Sequence, residues 1–231
     1  MSIDTSFGEF RQFEDFNVTA IANKAEISVT AISGGTTEVT AGADGRLRIN
    51  GDGTGDEQVG GVSFGRTNWV AGDGYLKMEA RIVLDTIADY KLFIGFATSL
   101  ASASETTFSA TSDTVTIDTI TDGIGIVKDG DSSTDALFCV AGDTNTVTVS
   151  QQISTTYNPV ATTFTTIGCY LSLDRTSAQF YVDGKEVYRV DGSTALVAAI
   201  ALVPGVWVYD QSTGTNHDVD YLYGAKGRSV S

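Results

Sequence analysis

Cleaving a glycosidic bond takes two carboxyl groups that flank one sugar linkage, roughly 5 to 5.5 Å apart in a retaining enzyme. A β-strand supplies such a set through residues i, i+2 and i+4, which share a face. The glutamates of this chain, Glu9, Glu14, Glu26, Glu38, Glu57, Glu79, Glu105 and Glu186, are dispersed, and none has a carboxylate at both spacings. The nearest same-face pair is Asp218 and Asp220, beside the lone histidine, His217. Paired aspartates at a solvated strand end are also ordinary turn chemistry, and that is the reading expected here. Serine hydrolysis has to recruit His217, and no strand-turn-helix elbow of the Gly-x-Ser-x-Gly type is expected in a chain that reads as strands. No catalytic residue is therefore expected.

One histidine and two cysteines leave no soft-metal cluster. Cys139 and Cys169 each sit in an apolar run, where a small buried hydrophobe is the expected role. Calcium asks for hard oxygen ligands, and two loops carry them. Asn50-Gly51-Asp52-Gly53-Thr54-Gly55-Asp56-Glu57 begins like a calcium loop, with Asp52 and Asp56 as candidate ligands, but its twelfth position is Gly61 rather than an acid. Asp129 to Asp135 is the second loop. Tight turns use the same residues, so no cofactor is expected and calcium is the alternative. The glycines from Gly42 to Gly65 precede no Lys-Ser/Thr and no helix, so they cradle no phosphate and read as turns. A sugar platform needs exposed aromatic rings with polar neighbours. Trp69, Trp207, Tyr209, Tyr221 and Tyr223 are the candidates, with packing in the core as the competing role. Phe7, Phe10, Phe13 and Phe16 recur every three residues, a spacing that fits neither a strand nor an amphipathic helix. Phe7 and Phe10 are the candidate anchors of an N-terminal arm, residues 1 to 11, that docks on a partner; packing beneath the first strand is the other reading.

These residues must be positioned by strands. Leu76, Met78, Ala80, Ile82 and Leu84 alternate with Lys77, Glu79 and Arg81, the period of a sheet with one wet face. Leu92, Ile94 and Phe96 repeat the pattern after a short connection, and the two strands are expected to be neighbours. Phe164 to Asp174 turns Ile167, Cys169, Leu171 and Leu173 inward. Asp183-Gly184 then joins Ala178 to Val182 and Lys185 to Val190 in a type I′ hairpin that pairs Phe180 with Val187. Weaker strands are read at 12–20, 26–31, 46–50, 58–64, 114–120, 123–127, 136–140, 144–151, 199–208 and 218–223, whereas 99–112 and 158–163 read as surface loops. Ile21 to Ile27 is the best candidate for a helical turn. With 231 residues, 25 Gly and no linker-like shift in composition, one all-β domain over residues 12–231 is expected, an antiparallel two-sheet β-sandwich. The net charge of −15 argues against nucleic acid or an anionic membrane as partner. Without a basic, then apolar, N-terminal segment the chain is expected to be made in a cytoplasm.

The order Leu171-Ser172-Leu173-Asp174, a polar turn, then Phe180-Tyr181-Val182-Asp183-Gly184-Lys185-Glu186-Val187 resembles the hairpin of concanavalin A-like lectin/glucanase and laminin G-like jelly rolls. Phe13-Glu14-Asp15-Phe16-Asn17 is similar to their first edge strand, Asp73 to Arg81 to the strand before their meander, and Val219 to Tyr223 to their closing strand. The resemblance implies two packed sheets of jelly-roll type and no particular activity, because this fold hosts lectins, glucanases, lyases and adhesion modules. Glucanases of this kind carry a Glu-x-Asp-x-x-Glu strand, which is lacking here. The acidic, Thr-, Ala- and Gly-rich, cysteine-poor composition is similar to that of virion structural proteins of tailed bacteriophages. The expectation is thus a non-enzymatic capsid decoration or fibre-associated protein of the virion, partnered by the major capsid protein or other virion subunits. A carbohydrate-binding lectin-like module, facing a cell-surface glycan, is the first alternative and a polysaccharide-cleaving enzyme with an atypical site the second; homo-oligomerisation is left open.

Overall fold

The computed structural model describes residues 9–16, 27–32, 36–40, 45–50, 58–64, 69–86, 90–98, 107–117, 120–210 and 216–227. Two large antiparallel sheets carry the chain. The first is built from β1 (Glu9–Glu14), β3 (Thr36–Thr40), β4 (Arg46–Asn50), β7 (Leu76–Leu84), β14 (Phe164–Leu171), β15 (Ser177–Val182), β16 (Lys185–Asp191) and β18 (Asn216–Gly227). Its order is β16-β15-β14-β7-β18-β4-β3, and β1 lies beside the C-terminal half of β18. The second contains β2 (Ile27–Ile32), β5 (Gln58–Phe64), β6 (Trp69–Val70), β8 (Tyr90–Ala97), β11 (Gly123–Asp129), β12 (Leu137–Asp143), β13 (Thr146–Gln152) and β17 (Ala201–Asp210). Its order is β13-β12-β11-β8-β17-β5-β2, with β6 on the first residues of β17. A hairpin of β9 (Phe108–Thr111) and β10 (Thr114–Ile117) stands apart from both.

The alternation read in 76–84 is that of β7: Leu76, Met78, Ala80, Ile82 and Leu84 are buried while Lys77 is exposed. They meet Leu92, Ile94, Phe96, Ile124, Ile126 and Val206 of the second sheet in one core. β7 and β8 are thus not neighbours in one sheet, as expected, but lie in different sheets. The reason is in β8 itself, where all eight residues are buried, so it needs cover on both faces and takes a central place between β11 and β17.

That second cover is the β9–β10 hairpin. Phe93, Val127, Phe138, Val140 and Trp207 point away from the main core and are buried with Phe108, Ala110 and Val115 in a separate apolar cluster. Residues 108–111, expected to be loop, are therefore a strand with a buried phenylalanine, since a Ser/Thr-rich stretch hides the one ring that anchors it.

Asp183 and Gly184 do form the predicted turn, both with positive φ (49° and 73°), the conformation a type I′ hairpin requires. The register beyond it differs from expectation. A bulge makes Val187 the extra residue of β16, so that Phe180 pairs with Tyr188 rather than Val187 and the two rings stack at 6.1 Å. The arm boundary at residue 11 is likewise corrected. Residues 9–11 belong to β1, where Phe10 meets Trp69 edge-on at 5.3 Å, because pairing with β18 gives the backbone there its hydrogen-bond partners. Phe16 is fully buried, Phe13 is 48% exposed, and Phe7 lies outside the described residues, as do 21–26 of the expected helical turn.

Candidate functional site

The outer face of the first sheet presents rings and carboxylates together. Register places Tyr181, Gly168, Glu79, Tyr223 and Phe13 in one row across β15, β14, β7, β18 and β1. The next row is Gln179, Tyr170, Lys77, Ala225 and Arg11. The smallest residue, Gly168, stands between Tyr181 and Glu79 in the first row. Gly168 leaves a notch between Tyr170 and Tyr181, and a Cβ there would come within 2.8 Å of the Met78 carbonyl oxygen. The notch opens into a groove of about 470 Å³, bounded by Tyr75, Tyr170 and Tyr181, with Lys77, Glu79, Gln179 and Glu9 supplying polar groups. This volume falls within the range of small-ligand sites.

The groove is held in shape by its own polar contacts. The Tyr75 hydroxyl donates to Glu9, which also accepts from the Arg11 guanidinium. The Tyr221 hydroxyl donates to Glu79 at 2.6 Å, and the Tyr181 hydroxyl to the Gln179 side-chain oxygen at 2.6 Å. Tyr75 and Tyr170 face each other at 5.7 Å, Phe13 and Tyr221 at 5.6 Å, and the Lys77 ammonium lies 5.8 Å from the Tyr223 ring centre. Partial burial and then the bond to Glu9 push the Tyr75 phenol up to about 12. Burial followed by the bond to Glu79 does the same to Tyr221, also to about 12. The Tyr75 hydroxyl, aided by Arg11, holds the Glu9 carboxyl below the ordinary carboxylate range against an opposing contribution from burial.

The residues singled out in the sequence are scattered by comparison. A bulge makes Asp220 the extra residue of β18, so Asp218 and Asp220 are not a working pair. Asp218 accepts from Arg48 at 2.9 Å, and Asp220 from Arg81 at 2.8 Å. His217 is buried against Tyr90, ring centres 4.8 Å apart. In the Asp129–Asp135 loop the carboxylates face lysines: Lys91 lies 3.5 Å from both Asp129 and Asp131, and the buried Lys128 lies 3.3 Å from Asp135. Asp129 also accepts the backbone N–H groups of Ala110 and Asp131. Among the described residues no group of three or more acids, histidines or cysteines is arranged to hold a metal ion; Asp52 and Asp56 lie outside them. Trp69, Trp207 and Tyr209 are buried, which leaves Tyr221 and Tyr223 as the two aromatic candidates on the outer face. Glu9, Tyr75, Glu79 and Tyr170 escaped sequence reasoning. Alternation could place Glu79 on a wet face, but nothing local says that β1 and β14 deliver their side chains to the same place.

No protein-family model and no curated protein sequence matches the chain. Solved structures do match over nearly its whole length. A protein of unknown function from Shewanella oneidensis MR-1 superposes with a TM-score of 0.63 at 15% identity, covering 100% of this chain and 91% of its own. Peanut lectin gives 0.62 at 12% identity over 96% and 99% of the two chains. Bacillus licheniformis β-glucanase gives 0.60 at 13% identity over 97% and 100%. The chain is a concanavalin A-like jelly roll, a fold common to non-enzymatic lectins and to glycosidases.

Proposed function

We propose that this protein is a non-catalytic carbohydrate-binding module whose ligand occupies the tyrosine-lined groove of the first sheet. The observation that carries the reading is the convergence of Tyr75, Tyr170 and Tyr181 on a notch at Gly168, beside carboxylate, amide and ammonium groups suited to sugar hydroxyls. Rings provide apolar faces and the polar groups give orientation. The non-catalytic part is supported by geometry: both groove carboxylates already accept from this chain's own donors, Glu9 from Tyr75 and Arg11 and Glu79 from Tyr221. Glycan-array binding followed by calorimetry tests the module. Retention of an oligosaccharide, weakened about tenfold or more by Tyr170→Ala, supports it; a silent array removes it. Release of reducing ends from a bound polysaccharide would overturn the non-catalytic reading.

A virion setting is the second reading, favoured by Phe13. In that setting a neighbouring subunit would cover the Phe13 ring, which is 48% exposed on β1. Co-sedimentation with phage capsids tests it, and retention unaffected by Phe13→Ser counts against it.

A further inference from the structure

Most polar groups that line the groove are already engaged within the chain. Glu9 accepts from Tyr75 and Arg11, Glu79 from Tyr221, and the Gln179 side-chain oxygen from Tyr181. What is left over lies in a single row. Register sets Gln179, Tyr170 and Lys77 abreast on β15, β14 and β7, neighbouring strands being about 4.8 Å apart, and all three line the groove. Lys77 is exposed, and among the described residues its ammonium makes no ion pair or hydrogen bond; it lies over the Tyr223 ring. The Tyr170 hydroxyl has no hydrogen-bond partner among them either, and the Gln179 amide nitrogen donates to nothing once its oxygen has accepted from Tyr181.

The unspent groups of the row are therefore donors, and one of them is charged. A ligand made only of hydroxyls leaves that charge unmatched. A carboxylate or sulfate on the sugar matches it, and a hydrogen bond between charged partners is about twice as strong as a neutral one. The surrounding charge permits an acid here. Glu9 and Glu79 are offset by Arg11 and Lys77, and each carboxylate faces a donor of its own. The net charge of −15 on the whole chain is largely screened beyond roughly 10 Å at 0.1 M salt.

We infer that the ligand is an acidic glycan, whose sugar carries a carboxylate or sulfate that Lys77 receives while Tyr170 and Gln179 donate beside it. This rests on the groove reading above. The test begins with an array of oligouronates, sulfated galactans and neutral oligosaccharides. Its tightest binder then goes to calorimetry with its neutralised form, the methyl ester of a uronate or the desulfated form of a sulfated sugar, which also tells the two acids apart. Both are measured against the unaltered protein, Lys77→Met, Lys77→Arg and Tyr170→Ala, all checked by thermal melting. Lys77 is exposed, so its variants are expected to fold. The expected result is that the acidic form binds at least about tenfold more tightly than the neutralised one, that Lys77→Met abolishes this difference and spares the neutralised form, that Lys77→Arg keeps it, and that Tyr170→Ala weakens both forms. A neutral sugar as the tightest binder, or a difference that survives Lys77→Met, overturns the inference and leaves the groove standing. If nothing on the array binds, the groove reading falls and this one with it.

Discussion

The Tyr75 and Tyr221 hydroxyls each donate to a carboxylate, an arrangement that requires the phenol to stay protonated. Both phenols lie above their ordinary value of 10.0, at about 12. Their contribution to stability is therefore complete below pH about 10 and is lost as pH rises through about 12. Glu9 works in the opposite direction: its contribution is present above the ordinary value of 4.5 and is lost as pH falls through its lowered one. Denaturant midpoints measured across alkaline pH should fall in that window for the unaltered chain, and fall less for Tyr75→Phe/Tyr221→Phe. The two thiols give a second expectation. Cys139 and Cys169 are buried and burial drives both thiols up, so neither should react with a thiol reagent until the protein is unfolded. Their role was legible in the sequence because an apolar run is a local signal. The carboxylate partners of the tyrosines were not, since Glu9 and Tyr75 are 66 positions apart and meet only through the fold.

At the scale of elements, the β9–β10 hairpin is the clearest case of structure that residue type concealed. Phe108 lies against Phe93, ring centres 5.5 Å apart, and Phe93 stacks on Trp207 at 5.6 Å. Phe108→Ala should cost about 3 to 5 kcal/mol in denaturant unfolding, and a change of less than about 1 kcal/mol would show that the hairpin covers nothing of consequence. Strand periodicity was readable because one inward and one outward residue alternate along the chain. Partnership was not, because alternation names a strand's faces and is silent on its neighbours; the expected pairing of β7 with β8 failed for that reason. Asp183-Gly184 was readable because turn chemistry resides in two adjacent residues. The bulges at Val187 and Asp220 were not, because a single extra residue leaves no mark in residue type, yet the second one sends Asp218 and Asp220 to different arginines.

At the scale of the whole molecule, the net charge of −15 is offset locally at the Asp129–Asp135 loop by buried lysines. Asp129 is fully buried beside Lys91, and Lys128, only 1% exposed, reaches Asp135. Amines already occupy the space a cation would need in that loop, so EDTA should leave the melting midpoint of the protein unchanged; a downward shift of several degrees would point to calcium elsewhere in the chain. The two-sheet sandwich was legible from alternation and turns, and its jelly-roll type from the resemblance carried by the Asp183-Gly184 hairpin and the flanking strands. The groove was not, because no segment contains it.

A sandwich has two outsides, and here the middle of one is already covered. With Trp207, Phe93 and Phe138 sealed under a hairpin of the same chain, the centre of the second sheet is shielded from solvent and the molecule becomes directional. Whatever carries it, a particle, a longer polypeptide or a bead, must hold it by that side for the tyrosines to look outward, so the point of attachment decides whether a displayed copy can find a partner at all.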